Sequence, residues 1–338
     1  MPTPRLVVER AVLDANIRRT ADWARRLGLD LRPHVKTHKS VDLARLQLEA
    51  GAVGITVATV GEAEVFAAAG FDDVFIAYPL WIDDDRAERL RRLAGTTRRL
   101  AVGVDSVASA ERLSRLPVDV LVEVDSGHHR TGVAPPDVAR VAERVGDRLR
   151  GVFSFPGHSY SPDATTSAGA DEAGALAEAR DVLAGGGLAV TVLSGGSTPS
   201  LATSDAEVLT EVRPGVYVFN DAQQWELGTC SPDDVALTCH ATVVSHAGGR
   251  LVLDSGSKVL GADRAPYASG FGRLLDHPDA RIVLLSEHHA VAEVPGPLPP
   301  LGSTVRVVPN HVCNAVNLVD TLWVDGASWP VSARGRND

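Results

Sequence analysis

The segment Leu-Arg-Pro-His-Val-Lys-Thr-His at positions 31–38 contains the residue best suited to covalent chemistry, Lys36. The pattern predicts a short apolar strand with the lysine at its C-terminal end. Arg32, His34 and His38 bring further titratable groups to the same stretch. A lysine amine that is desolvated beside cations loses its proton easily, and the neutral amine can then form a Schiff base with an aldehyde cofactor. The alternative is a lysine that emerges into solvent where the strand ends.

A second motif, Pro-Asn-His-Val-Cys at positions 309–313, places His311 two residues before Cys313. In an extended chain both side chains would point to the same face. An imidazole and a soft thiolate together suit Zn²⁺. Two protein ligands are too few for a closed structural site, so the pair would form a catalytic centre in which the metal acts as a Lewis acid. The alternative is a partly buried cysteine beside a turn histidine.

Three further segments carry polar residues that suit a bound cofactor. The loop at 125–132 contains Arg130, which suits an anionic oxygen. His158 and Tyr160 are placed to contact a cofactor ring or to relay a proton. Tyr217 or Asn220 is placed to close a phosphate site. The core of that phosphate site would be a run of small residues whose backbone N–H groups can approach an anion: Gly195, Gly196, Ser197 and Thr198.

Each of these loops is also typical of a solvated turn. The segment that holds Glu287, His288 and His289 has the same two interpretations. It predicts either a further metal ligand or acid–base group, or an exposed polar turn.

The elements that must position these residues alternate regularly between strand and helix. Eight β-rich runs are predicted at 31–36, 54–59, 73–78, 100–105, 118–125, 151–156, 189–194 and 212–219. Helical patterns lie between most of them, which predicts an α/β fold with a parallel sheet. Eight such units predict a closed (β/α)₈ barrel of the TIM type, in which chemistry sits at the C-terminal ends of the strands. An open doubly wound sheet is the alternative.

After about residue 230 the pattern changes to β-rich runs joined by Gly, Pro and Asp turns. We therefore expect a barrel domain over residues 11–230 and a mostly β domain over residues 231–338. Residues 1–10 are a candidate strand of the second domain.

Composition excludes several classes of partner. The 338 residues are 44% hydrophobic and carry a formal net charge of −10, which argues against nucleic-acid and anionic-membrane partners. No apolar run reaches the ~18 residues of a membrane span, and the N-terminus lacks a signal-peptide pattern. Three cysteines, Cys230, Cys239 and Cys313, do not suggest a disulfide framework, so a cytoplasmic location is expected.

Taken together, these motifs resemble the fold-type III pyridoxal-phosphate enzymes, the alanine racemase-like group. Within that group they look like the D-serine dehydratase and D-threonine aldolase branch. The resemblance runs through most of the chain, from position 32 to position 313. It implies an N-terminal (β/α)₈ barrel, a C-terminal β domain and a homodimer.

The resemblance also implies a role for each motif. Lys36 would form the Schiff base with pyridoxal 5′-phosphate, Arg130 would lie in the cofactor pocket, and Tyr160 would lie close to the ring. Residues 195–198 match the phosphate loop. The pair at 311 and 313 matches a divalent-metal pair, for which the soft thiolate favours Zn²⁺ over Mn²⁺ or another divalent ion.

The activity that the resemblance implies is a metal-dependent lyase acting on a D-β-hydroxy amino acid. D-serine dehydratase, which yields pyruvate and ammonia, is the leading case, because the His-x-Cys pattern is dehydratase-like whereas aldolases resemble one another in a His-Cys-Asp run. A Val-Asn-Leu segment at 316–318 is similar to the aldolases instead. Retro-aldol cleavage to glycine and an aldehyde, with His158 as base, is the first alternative. A racemase, a pyridoxal-phosphate-binding protein without turnover and a sugar-phosphate barrel are the others.

Overall fold

The computed structural model describes residues 2–338, which pack as two compact units. The barrel unit comprises Thr20–Lys36, Ala44–Gly215 and Gly335–Asp338, and the β unit comprises the residues up to Arg19, Thr37–Leu43 and Val216–Arg334. Both units are discontinuous in sequence. The domain boundary at residue 230 stays a prediction.

The chain begins with strand β1 (Arg5–Val8) and helix α1 (Arg10–Leu27), which runs from the β unit into the barrel unit. Eight strands of the barrel unit follow in chain order: β2 (Asp30–Leu31), β3 (Ile55–Val57), β4 (Asp73–Ile76), β5 (Arg99–Val104), β6 (Asp119–Glu123), β7 (Leu149–Phe153), β8 (Val192–Gly195) and β9 (Glu211–Val212). All pair in parallel, with β2 beside β9 and the others in chain order. Just beyond β2, His34 forms a parallel bridge with Thr56 of β3, which closes the ring. The predicted (β/α)₈ barrel is confirmed.

Six helices connect these strands: α2 (Val41–Glu49), α3 (Val60–Ala68), α4 (Asp84–Thr96), α5 (Val107–Leu113), α6 (Val138–Val145) and α7 (Ala168–Gly185). Three of them begin at a residue whose side-chain oxygen accepts a backbone N–H of the first turn, namely Thr59, Asp83 and Ser106. Such N-caps satisfy a donor that the helix itself leaves unpaired. Local sequence therefore fixes where these helices start.

The first and last barrel strands are shorter than predicted. Strands β2 and β9 have two residues each, where the sequence predicted 31–36 and 212–219. Pro33 and Pro214 follow these strands, and a proline has no N–H to donate to a sheet ladder. The chain continues from each as a short 3₁₀ turn. Lys36 therefore lies on a turn and not on a strand, which corrects the prediction.

The barrel interior is apolar, with a cation at its centre. One side chain from each of four successive strands, β4 to β7, packs into it: Phe75, Ala101, Leu121 and Phe153. Gly103 leaves room for the Phe153 ring, since a Cβ there would lie 2.6 Å from it. The Arg213 guanidinium lies 5.3 Å from the Phe153 ring centroid and donates to the Ser194 hydroxyl and the Ser154 carbonyl. Ring faces and hydrogen bonds thus stabilise a buried charge.

A second buried arginine stabilises the N-terminal ends of the strands. Arg32 donates from Nε to Glu211 and from one terminal nitrogen to Asp73, each at 2.6 Å, and all three residues are buried. Glu211 also accepts a hydrogen bond from the Ser194 hydroxyl at 2.6 Å. Arg32 thus has a structural role that its place in the lysine segment did not predict.

The β unit contains a nine-stranded sheet and three short helices. Its further elements are β10 (Leu237–Ser245), β11 (Leu251–Leu253), β12 (Gly272–Leu274), β13 (His277–Leu285), β14 (Ala290–Glu293), β15 (Thr304–Pro309), β16 (Thr321–Val324) and β17 (Ala327–Pro330), with α8 (Ala222–Glu226), α9 (Ser257–Leu260) and α10 (Val312–Asn317). Strand β10 pairs with both β11 and β15, so six strands close a ring in the order β10-β11-β14-β13-β12-β15. Strands β1, β16 and β17 extend the sheet from β10. The predicted C-terminal β architecture is confirmed.

Over residues 2–338, no helix combines the length and apolar character that crossing a bilayer requires.

Candidate active site

In the barrel unit, three of the candidate residues gather around one aromatic ring. Lys36 is half-buried, and its Nζ lies 5.7 Å from the centroid of the Phe155 ring. The Arg130 guanidinium lies 5.0 Å from the same centroid. The Tyr160 ring centroid lies 6.3 Å from it. The loops after β2, β6 and β7 thus bring a nucleophilic amine, a cation and a phenol together, as expected for the C-terminal end of a barrel. We call these four residues the Phe155 cluster.

Burial shifts the pKa values of two titratable groups at the barrel mouth, His34 and Glu123. Burial lowers the pKa of His34 well below its ordinary value, and the charges of Lys36 and Arg213 lower it further, so this imidazole is neutral. Burial raises the pKa of Glu123, the last residue of β6, to about 7, against the opposing effects of Thr131 and Arg130. One oxygen of Glu123 is buried without a hydrogen-bond partner. The Glu123 carboxyl therefore carries only part of a negative charge near neutral pH.

The candidate phosphate loop follows β8 directly. Gly196 has a φ of +77°, a left-handed conformation that favours glycine. Its N–H donates to both carboxylate oxygens of Glu172, at 2.9 and 3.0 Å. Gly196 is one of the predicted phosphate donors, and its N–H is therefore bound by a side chain of α7.

Hydroxyl groups connect this loop to the neighbouring one. The Ser197 N–H donates to the Ser200 hydroxyl at 3.0 Å. The Ser197 hydroxyl lies 2.9 Å from that of Ser159, which precedes Tyr160. Gly195, Ser197 and Ser159 are buried, and Thr198 is half-buried. The loop after β8 and the loop that carries Tyr160 are thus held together.

His158, a predicted proton-transfer residue, is oriented by a carboxylate. Its Nε2 lies 3.2 Å from the Asp171 carboxylate at the start of α7. Its Nδ1 is buried and has no hydrogen-bond partner. The ring packs against Gly127 in the loop after β6. These contacts place His158 in the barrel unit, and its catalytic role stays a prediction.

In the β unit, His311 and Cys313 meet where β15 passes into α10. His311 is the N-cap of α10 with extended backbone angles, and Cys313 lies in the first helical turn. The sequence analysis predicted an extended chain across this pair. That prediction is wrong, because the helix begins between the two residues. The two side chains lie close enough for Cys313 to raise the pKa of the imidazole.

The sequence reasoning missed a third member of this group, Asp221. It caps α8 by accepting the Gln224 N–H at 2.9 Å through one oxygen. Its other oxygen accepts the Val312 N–H at 3.1 Å and lies 3.2 Å from His311 Nδ1. One fully buried carboxylate thus joins the starts of two helices and orients the imidazole. An aspartate that opens a short helix was the available signal.

The neighbours of His311 stabilise a positive charge at this position. Burial opposes the imidazolium, but Cys313 and Asp221 outweigh it and raise the pKa of His311 well above its ordinary value. A metal would displace that proton. Among residues 2–338 no three His, Cys, Asp or Glu side chains assemble as a complete metal cluster. A metal held by His311 and Cys313 would therefore complete its coordination with water or a substrate oxygen, as in catalytic centres.

The metal pair is also tied to the lysine segment of the chain. The Cys313 thiol donates to the Thr37 hydroxyl at 3.3 Å, within the β unit. Lys39 Nζ donates to Asn317 on α10 at 2.8 Å. Thr37 follows Lys36 directly in the sequence.

Two other predicted segments have different surroundings. Tyr217 is buried in a 3₁₀ turn of the β unit, and its cofactor contact stays a prediction. Glu287, His288 and His289 are exposed in the turn between β13 and β14, where Glu287 pairs with Lys258 at 2.7 Å.

Comparison with known proteins identifies the class that has this fold. A family model for the N-terminal domain of alanine racemase matches residues 8–223, and a model described as a putative serine dehydratase domain matches residues 236–324. The chain therefore belongs to the alanine racemase-like, fold-type III family of pyridoxal-phosphate enzymes. Within that family, this chain combines the racemase-type N-terminal domain with the putative serine dehydratase domain.

Relatives of known activity cover nearly the whole chain. D-threo-3-hydroxyaspartate dehydratase of Delftia sp. (strain HT23) is 34% identical over 93% of this chain and 91% of its own length. D-threonine aldolase of Arthrobacter sp. is 33% identical over 98% of this chain and 93% of its own. The solved structure of a cysteine-to-alanine variant of D-threo-3-hydroxyaspartate dehydratase, in the metal-free form, has a TM-score of 0.90 at 31% identity, covering 98% of this chain and 97% of that one.

The residues present fit both groups that the family implies. The Phe155 cluster places an amine and a guanidinium beside one aromatic ring, and these are the groups that an anionic aldehyde cofactor requires. The imidazole of His311 and the thiol of Cys313, both at the start of α10, form a donor set for a borderline-soft divalent ion.

Proposed function

We propose that this chain is a pyridoxal-phosphate- and metal-dependent lyase that eliminates water from D-β-hydroxy amino acids. The leading reaction is the conversion of D-serine to pyruvate and ammonia. One observation carries the proposal: His311 and Cys313 lie together at the start of α10, and the Cys313 thiol contacts Thr37, the residue that follows the candidate Schiff-base residue Lys36. The names of the relatives support the substrate class.

The barrel residues would bind the cofactor and move the α-proton. Lys36 would hold it through Nζ, while Arg130, Tyr160 and residues 195–198 would orient it. Pyridoxal phosphate, when bound, supplies an electron sink for the charge left on the substrate Cα. Nζ of Lys36 would also be the base that accepts the proton from the substrate Cα. The Phe155 ring would shield that amine from water.

The β-unit residues would assist departure of the β-hydroxyl. His311 and Cys313 would hold the divalent ion, which supplies Lewis acidity toward that oxygen. Asp221 would keep the imidazole oriented through the 3.2 Å contact with Nδ1. The α-proton and the hydroxyl leave as water, and hydrolysis of the resulting enamine gives the 2-oxo acid and ammonia.

Retro-aldol cleavage is the second candidate, favoured by the likeness to the Arthrobacter aldolase over 98% of this chain. In that reaction the β-hydroxyl would lose its proton instead of leaving, and His158 would be the candidate base. The products would be glycine and an aldehyde.

The test of the proposed function is turnover of D-serine by protein loaded with pyridoxal phosphate and Zn²⁺. We expect pyruvate and ammonia in equal amounts, and no pyruvate after chelation or in a Cys313→Ala variant. Cys230→Ala is the matched control, because that thiol is also half-buried in the β unit. A Cys313→Ala variant with full activity after chelation would contradict the metal role.

A further inference from the structure

A buried carboxylate lies against the candidate phosphate loop. Glu172 lies in α7 and is fully buried, with a side-chain exposure of 0%. Both of its oxygens accept the Gly196 N–H, at 2.9 and 3.0 Å. A buried acid beside a site meant for a phosphate is electrostatically unfavourable, so its presence there calls for a structural reason.

The packing around this contact is tight on both sides. A Cβ at Gly195 would lie 2.6 Å from the Glu172 carboxyl carbon. A Cβ at Gly196 would lie 3.2 Å from the Val212 side chain. The loop therefore lies between α7 and β9, and the Glu172 carboxylate is the polar group that binds the Gly196 N–H.

We propose that Glu172 is a positioning residue for the cofactor phosphate. By binding the Gly196 N–H it holds the left-handed turn, and so keeps the rest of the loop, through Thr198, in the position that a phosphate needs. The inference rests on the proposed function, because it takes residues 195–198 as the phosphate site of pyridoxal phosphate.

The electrostatics of Glu172 agree with this role. Burial raises its pKa to about 7, while the Gly196 N–H and the Arg213 charge oppose that rise. The carboxyl therefore carries only part of a negative charge near neutral pH. The loop requires an oxygen that accepts the Gly196 N–H, and it does not require a full negative charge on Glu172.

The experiment compares binding of pyridoxal phosphate with that of pyridoxal, which lacks the phosphate. Both are titrated into the cofactor-free protein, and the Schiff-base absorbance is recorded. Glu172→Met removes the acceptor at similar side-chain length, Glu172→Ala is a second acceptor-free variant, and Glu172→Gln keeps one acceptor oxygen. Glu178→Ala on the same helix is the control, because that side chain is exposed.

We expect the acceptor-free variants to weaken pyridoxal phosphate binding by about tenfold or more, and pyridoxal binding by less than about twofold. Glu172→Gln should restore most of the loss, and the control should match the wild type. Equal weakening of both ligands, no weakening of either, or a Gln variant as weak as Met would overturn the inference. Failure of the wild type to bind either ligand would instead contradict the proposed function.

Discussion

The Phe155 cluster and the metal pair are assembled in different ways. The Phe155 cluster takes Lys36, Arg130 and Tyr160 from loops after three different barrel strands and unites them around one ring. The metal pair comes from a single strand-to-helix junction, and one distant carboxylate fixes it. The first arrangement depends on closure of the whole barrel, whereas the second needs three consecutive residues and one carboxylate from elsewhere in the β unit. A substitution in the barrel framework should therefore affect several residues of the Phe155 cluster. A substitution near the metal pair should affect metal binding alone.

Loss of Lys36 gives the largest expected effect and separates the two regions. Lys36→Ala removes the only residue assigned to covalent chemistry, so turnover should fall by about a thousandfold or more and the Schiff-base absorbance should disappear. The content of bound metal should not change. Lys258→Ala, at an exposed ion pair of the β unit, is the control. Retained Schiff-base absorbance in Lys36→Ala would assign the covalent role to another amine.

Replacement of Arg32 tests how much its buried ion pairs contribute to the stability of the barrel. Arg32→Leu leaves the buried carboxylates of Asp73 and Glu211 without their cation, so the free energy of unfolding should fall by about 3–5 kcal/mol. Denaturant unfolding measures this change. Arg25→Leu, at an exposed pair with Asp22, should change stability by less than about 1 kcal/mol. Equal effects of the two variants would contradict the structural role given to Arg32.

The buried acid Glu123 should make the stability of the folded protein depend on pH. Its pKa is raised from 4.5 to about 7, so the folded protein binds an extra proton between these values. Stability should therefore fall as the pH rises through this interval, with the full cost present above about 7. Two to three pKa units correspond to about 3 kcal/mol.

The Glu123→Gln variant makes that pH dependence measurable. The free energy of unfolding of both proteins is measured in urea at pH 4 and at pH 8. The value for the variant minus that for the wild type should be about 3 kcal/mol larger at pH 8 than at pH 4. A difference between the two proteins that does not vary with pH would show that Glu123 ionises normally.

The smallest expected effect tests whether the metal pair is local. Asp221→Asn keeps the shape of the cap but weakens its hold on His311, so metal affinity should fall by about 10–100-fold. The Schiff-base absorbance should be retained. Asp233→Asn, at an exposed aspartate of the β unit, is the control. Loss of the Schiff base in Asp221→Asn would mean that the two regions fail together and that the contrast between them is wrong.

Motifs local in sequence were predictable, and contacts between distant residues were not. Strand and helix alternation predicted the barrel, and the lysine and His-x-Cys segments could be found by residue type alone. Glu172 binds Gly196, 24 positions away, and Asp221 contacts His311, 90 positions away, so no spacing rule reveals either residue. Arg32 pairs with Glu211 across 179 positions for the same reason. Phe155 carries no titratable group, and only the closed barrel shows what its ring brings together.

The most direct test of the central claim is product analysis with D-threonine, using protein loaded with pyridoxal phosphate and Zn²⁺. This substrate separates the two reactions because each cleaves a different bond at Cβ. The account predicts 2-oxobutanoate and ammonia, from loss of the β-hydroxyl. Glycine and acetaldehyde would mean retro-aldol cleavage and would contradict the elimination assigned to Lys36, His311 and Cys313.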